Sequence, residues 1–411
     1  MISINKTFLT AILGSIIFTA CKVNKNNASK NTQLKNTTLN TVTVRPTVKS
    51  PYRETVAKQI DLEHMQLAVG FNYSKQFVIG KAVLTAKPYF YDITDVTLDA
   101  RGFDINRVAL LTNNDDTLTL KYNYNGEKLQ VFLDKTYKRS QSFRIFIDYV
   151  AKPNQIKGLK GVAITDDKGL YFINPTGEDK DKPRQIWTQG ETQSNSCWFP
   201  TIDAPNEKIT HDIAITVEDK DITLSNGELM MSKYNADGLR TDFWKQNKPH
   251  APYLIMLAVG DFAKVKDYWR DSIAVDYYVE PAYKKYAKMV FGNTPEMMEV
   301  FSKKLGVDYP WNKYSQIVVR DFVSGAMENT SAVVFNDGLQ HDYREHLDNT
   351  HEDVIAHELF HHWFGDLVTC ESWSNVPLNE SFATYGEYIW QEAKYGAMEA
   401  DCEFNNNLRA Y

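Results

Sequence analysis

The chain has 411 residues, 43% hydrophobic and 24% charged, enough to bury the cores of two or three domains. Residues 1–50 hold seven cations and no acid, so the overall charge of −6 leaves −13 on the rest. An acidic body argues against a nucleic-acid partner, and no repeat of 20–50 residues points to a solenoid.

The first 21 residues read as a targeting segment. Lys6 precedes an apolar run from Phe8 to Phe18, too short to span a bilayer, and Phe18-Thr19-Ala20-Cys21 follows. Small residues before Cys21 resemble the lipobox of bacterial lipoproteins, in which the mature chain starts at a lipidated cysteine. A plain secretory signal with an incidental cysteine is the alternative. Both readings export the chain. The lipobox reading anchors it by lipid to a bacterial cell-envelope membrane, facing the periplasm or the surface. Residues 22–50, rich in Asn, Lys, Thr and Ser, read as a disordered polar tether. With Cys21 lipidated, Cys197, Cys370 and Cys402 are an odd set without zinc-cluster spacing, and buried free thiols are expected.

Residues 51–265 read as a β domain. Leu118, Leu120, Tyr122 and Tyr124 alternate with polar residues, Asn125-Gly126 marks a tight turn, and Leu129, Val131 and Leu133 alternate again. Phe143, Ile145, Ile147 and Tyr149 repeat the pattern, as do Ile213, Ile215 and Val217. Many short strands between turn residues predict an antiparallel sandwich or open saddle.

Residues 266–411 read as α+β. Thr294-Pro295 predicts a helix start, Met298, Phe301 and Leu305 share a face, and Gly306 offers a stop. A short strand at Ile317 and Val319 follows. Two further helices are predicted, one over 351–367 capped by Asn349 or Thr350, the other from near Leu378. Ala397 to Tyr411 reads as helix with no Gly or Pro stop, and the chain is expected to be part of something longer, its second domain incomplete at the C-terminus.

The chemistry lies in HELFHHWFGD, residues 357–366. His357 and His361, at i and i+4, share one helix face and can meet one metal ion. Glu358 beside them suits a base acting on a metal-activated water. Glu380, after 18 intervening residues, can supply a third ligand from the next helix, leaving the open position that a catalytic zinc needs. Chance would place HExxH here roughly 0.01 times, and Glu at one fixed later position lowers that by a factor of about 0.05. His362 lies about 100° around the helix from His361 and reads as structural. Thr384, four after Glu380, could support a ligand or simply pack in the core.

These residues resemble one family, the zinc aminopeptidases related to aminopeptidase N, in the gluzincin clan. HELFHHWFGDLVT is similar to its zinc helix and LNESFATYGEYIW to its third-ligand helix. GAMEN, residues 325–329, is similar to its exopeptidase signature, and WTQGE, residues 187–191, to a substrate-binding segment. The resemblance covers residues 55 to 411. It implies a thermolysin-like zinc peptidase domain after the β domain, with one zinc ion per chain held by His357, His361 and Glu380. It implies Glu358 as base and peptides with a free N-terminus as substrates. Their α-amine would be held by Glu328 and Glu191 with Gln189 alongside, within a loop of Gly325, Ala326, Met327, Glu328 and Asn329. Gly325 would let the substrate backbone approach. The family also calls for an oxyanion-stabilising tyrosine several tens of residues after the third ligand, which Tyr385, Tyr388 and Tyr395 are too early to be. Its place is expected beyond residue 411, which leaves this chain with reduced activity. Two competing readings are a related peptidase that cuts internally, which GAMEN disfavours, and a non-catalytic envelope lipoprotein that binds through a degenerate peptidase domain.

Overall fold

The computed structural model describes residues 55, 57–112, 116–156 and 166–410. The targeting segment with Cys21, and the tether, lie outside the described residues. Alternation works as expected in the strands that build the first core. Every second side chain of Phe143–Ala151 and of Ile209–Glu218 is buried, each large aliphatic contributing about 1.5–3 kcal/mol. These strands sit in an eight-stranded sheet ordered Glu228–Tyr234, Leu239–His250, Ile209–Glu218, Ile60–Asn72, Phe77–Pro88, Phe143–Ala151, Phe103–Leu111, Thr117–Thr119. Beside it are a three-stranded sheet holding Lys128–Tyr137 and a four-stranded sheet holding Gln185–Thr188 and Leu257–Gly260.

Two details differ from the expected antiparallel pattern. Ile60–Asn72 pairs parallel with Ile209–Glu218. The intervening chain passes through other sheets, so no tight turn dictates an antiparallel return. The alternating run at 118–124 is also not one strand. Thr117–Thr119 joins the eight-stranded sheet and Lys121–Tyr124 the three-stranded one. Leu120 between them is buried and Leu118 is 47% exposed. The period survives the crossing, so alternation alone cannot see it. The turn after it forms as read: Gly126 has φ 95°, and Asn125 Oδ1 accepts the N–H groups of Glu127 and Lys128 at 2.9 and 2.7 Å.

The second half is built on a five-stranded mixed sheet ordered Ala263–Trp269, Ile273–Val279, Lys313–Val319, Ala332–Asn336, Ala326–Met327. Its helices are α1 (Ala287–Phe291), α2 (Thr294–Leu305), α3 (Tyr343–His346), α4 (Glu352–Phe360), α5 (Pro377–Tyr395) and α6 (Ala397–Ala410). No helix among the described residues is long and apolar enough to cross a membrane. Helix α2 buries Met298 and Phe301 and stops at Gly306 with φ 68°. Its cap position is Asn293, one residue before Thr294, whose hydroxyl instead accepts from Gln316 Nε2 at 2.9 Å.

Helix α4 is shorter than the expected 351–367. After Phe360 the N–H groups of His362 and Trp363 turn back to residues three before them, and Gly365, with φ 134°, closes a loop by bonding Val368. Its first turn is not capped by Asn349 or Thr350 side chains; the cap position is His351, at φ 56°. Glu352, in that turn, is buried and accepts from Asn293 Nδ2, Trp390 Nε1 and the Tyr395 hydroxyl. Cys197 and Cys370 are buried free thiols as expected, but Cys402 is exposed on α6, where no described element covers it.

Buried histidines join the two halves. His250 Nε2 meets His211 Nδ1 at 3.1 Å, and His250 Nδ1 meets the Thr330 hydroxyl at 2.9 Å. Burial lowers the pKa of His211 to about 3 and that of His250 well below its ordinary value. A histidine depressed in the fold and free in the unfolded chain contributes stability above pH 6.5 that is lost as pH falls toward 3. At pH 5 the loss is about 2 kcal/mol per histidine. Buried Asp203, raised by burial to about 7, acts in the opposite sense. The readable quantity is therefore the difference between variants. His211→Gln should flatten the decline in urea midpoint between pH 7 and 5, and parallel declines in both proteins would contradict this assignment.

Candidate active site

Helices α4 and α5 cross closely because Gly386 has no side chain: a Cβ there would stand 2.5 Å from the Phe360 ring. Behind α4, Ile355, Leu359 and Phe360 are buried, and Phe364 packs partly buried against the same core. This contact sets Glu380 of α5 opposite the histidines of α4. Glu380 Oε2 lies 3.5 Å from His357 Nε2 and 3.7 Å from His361 Nε2. One ligand atom from each residue falls within a 4.8 Å cluster.

The far sides of both imidazoles are occupied. His361 Nδ1 donates to the Phe364 carbonyl at 3.0 Å, and His357 Nδ1 pairs with Glu387 Oε1 at 2.7 Å. Both Nε2 lone pairs are thereby turned toward Glu380. Two imidazoles and a carboxylate with one open side suit zinc. The two imidazoles are pushed in opposite directions: burial, then the His357 charge, lowers the His361 pKa to about 4. Burial opposes a charge on His357, but hydrogen bonds to the Glu380 and Glu387 carboxylates outweigh it and lift its pKa to about 10. Glu387 was not singled out from sequence. It follows Glu380 by seven residues, two turns along the same face, and that spacing is the signal that would have found it. Thr384 is exposed instead and makes no such contact.

Glu358 is 6% exposed, and its Oε2 has no hydrogen-bond partner among the described residues. Burial raises its pKa to about 8, with the charge on His357 opposing. A carboxylate oxygen of Glu328 and one of Glu358 lie within 4.8 Å of each other and of a His361 nitrogen. Burial and then the charge of Glu191 raise the Glu328 pKa well above the ordinary carboxylate value. Glu191 is half-buried by area yet densely surrounded; burial and then Glu380 lift its pKa to about 7.

The 325–329 loop is pinned at both ends. Ala326–Met327 pairs with Phe335 and Val334. At the other end Ser331, with φ 63°, is a junction. Its N–H donates to His362 Nε2 at 2.9 Å, its hydroxyl accepts from Gly227 N–H at 2.8 Å, and its carbonyl accepts from Lys313 Nζ at 2.8 Å. His362 Nδ1 donates to the Glu358 carbonyl at 3.2 Å. His362 thus ties the loop to the helix and points away from Glu380.

A Cβ on Gly325 would meet nothing within 4 Å, so space is open there. Asn329 is fully buried with both amide atoms unpartnered among the described residues. Gln189 is buried beside Met327, its Oε1 likewise unpartnered. The strand Gln185–Thr188 delivers Gln189 and Glu191 to this wall. Tyr388 and Tyr395 spend their hydroxyls on Asp401 and Glu352, and Tyr385 stacks on Tyr388.

Comparison with known proteins agrees with this architecture. Residues 61–254 match the peptidase M1 N-terminal domain, and residues 289–410 match the peptidase family M1 domain. Aminopeptidase M1 of Arabidopsis thaliana is 32% identical over 237 residues, 56% of this chain and 27% of that protein. Aminopeptidase N of Streptomyces lividans is 32% identical over 242 residues, again 56% and 27%. The chain thus spans less than a third of the length of these relatives. An M1 zinc metallopeptidase from Deinococcus radiodurans superposes with a TM-score of 0.67 at 20% identity, covering 82% of this chain and 72% of that one. With both domain models matched in order, the chain belongs to peptidase family M1.

Proposed function

We propose that the chain is the site-bearing part of a zinc aminopeptidase that removes the first residue from peptides with a free N-terminus. The observation that carries this is a pair of clusters that share His361: one ligand atom each of His357, His361 and Glu380 lie within 4.8 Å of one another, and so do those of His361, Glu358 and Glu328. Zinc bound by those three residues supplies Lewis acidity for the peptide carbonyl and the attacking water. Glu358 takes the water's proton and delivers it to the leaving amine. Glu328 and Glu191 hold the substrate α-ammonium by charge-assisted hydrogen bonds. The ammonium offsets the burial and the neighbouring carboxylate charge that raise both acids. Gln189 offers an unsatisfied acceptor to the same end of the substrate. Anchoring the amine leaves only the first peptide bond within reach of Glu358.

The test is hydrolysis of amino-acid 4-nitroanilides by the chain lacking residues 1–21, with bound zinc quantified on the same sample. Expected are zinc near one per chain, turnover of free aminoacyl substrates, and loss of turnover when the amine is acetylated. Equal turnover of acetylated substrates would favour internal cleavage, and absence of zinc would favour a binding role.

A further inference from the structure

Tyr253 belongs to none of the motifs above, yet it lies between the two halves of the site. It sits in the 3-10 turn Pro252–Leu254, fully buried, in a small apolar cluster with Met327. Its backbone is fixed. The Asn195 side-chain amide donates to the carbonyls of Pro252, Tyr253 and Ile255 at 2.7, 3.2 and 2.8 Å. Gly190, beside Glu191, comes so close that a Cβ would stand 2.0 Å from the Tyr253 carbonyl oxygen. Trp373 holds the ring edge-on at 4.9 Å.

The hydroxyl has two partners, and their chemistry fixes its direction. Asn379, next to the third-ligand residue Glu380 on α5, uses its Oδ1 to accept the Cys370 N–H at 3.1 Å. Its amide nitrogen therefore faces Tyr253 and donates to the phenol oxygen at 3.1 Å. With that oxygen accepting from Asn379, the phenol proton goes to Glu328 Oε1, 3.3 Å away. A tyrosine free to rotate would share its proton among acceptors; among the described residues this one donates to Glu328.

We propose that Tyr253 is a positioning residue for free-amine recognition: it holds one oxygen of Glu328 in place, registers it against the helix that carries Glu380, and leaves the other oxygen for the substrate ammonium. This rests on the aminopeptidase reading above. Without the phenol, the Glu328 carboxylate loses a donor in a buried site and is free to swing toward His361 and Glu358. The effect should fall on the amine alone, because the Tyr253 hydroxyl touches neither the zinc donors nor the base.

The experiment uses the zinc-loaded chain and two probes that differ only by the amine, L-phenylalanine hydroxamate and 3-phenylpropanoyl hydroxamate. The ratio of their dissociation constants measures amine recognition. Tyr253→Phe is expected to reduce that ratio about tenfold, with zinc content and affinity for the des-amino probe unchanged. Glu328→Gln serves as the reference for complete loss. A Tyr253→Phe ratio equal to wild type would overturn the proposal, as would equal weakening of both probes, which marks a merely structural role. A wild-type ratio near one would sink the aminopeptidase reading itself, and this inference with it. Should Tyr253→Phe fail to fold, Asn379→Ser removes the donor to the phenol oxygen, together with the acceptor of the Cys370 N–H. It should lower the ratio about threefold at unchanged zinc content, and no change there would equally overturn the proposal.

Discussion

Replacing Glu358 by Gln is expected to lower kcat for an aminoacyl 4-nitroanilide by about 10² to 10⁴-fold while zinc remains near one per chain. The size follows from the position of the side chain. Glu358 is buried, it is not in the cluster of His357, His361 and Glu380, and one of its oxygens has no partner among the described residues. Gln keeps the shape but cannot accept the proton, so the loss falls on the proton-transfer step and KM should change little. Steady-state kinetics with parallel metal analysis reads both quantities. Loss of zinc in this variant would mean that Glu358 is a ligand, and retained turnover would mean that the base lies elsewhere.

The second large effect belongs to Glu387. Glu387→Gln is expected to weaken zinc binding by about 10- to 100-fold, read by competition with a chelator of known affinity. The charged carboxylate at 2.7 Å from His357 Nδ1 fixes the ring and makes its other nitrogen a better donor. Gln can accept the same hydrogen bond but carries no charge. The α4–α5 contact at Gly386 and Phe360 is untouched, so the helix stays where it is. An unchanged zinc affinity would show that Glu387 is only a surface partner of the histidine.

The donor cluster was legible in sequence because it is written in local periods. His357 and His361 need only a helix, and α4 supplies one just long enough to align them. The rest of the site depends on what the chain does at a distance. Glu387 shares a face with Glu380 in sequence, but its pairing with His357 Nδ1 shows itself when α5 is laid against α4. Tyr253 lies 75 residues before Glu328 and meets it across a sheet boundary. The fold divides similarly. Phe143–Ala151 was readable because one face is buried along its whole length. The run at 118–124 was not, because a strand can change sheets at Leu120 without breaking the alternation. The early end of α4 was hidden for a related reason: apolar residues Trp363 and Phe364 continue to pack beyond the end of the helix at Phe360. The parallel pairing of Ile60–Asn72 depends on a partner some 140 residues away, which no local pattern encodes.

On the proposed reading, His357, His361 and Glu380 together hold one zinc ion in front of Glu358 and Glu328. Anomalous diffraction above and below the zinc edge on crystals of the chain tests this. One strong peak is expected, about 2 Å from His357 Nε2, His361 Nε2 and a Glu380 oxygen. A peak held by any other set of residues, or none in crystals grown with zinc, would contradict it.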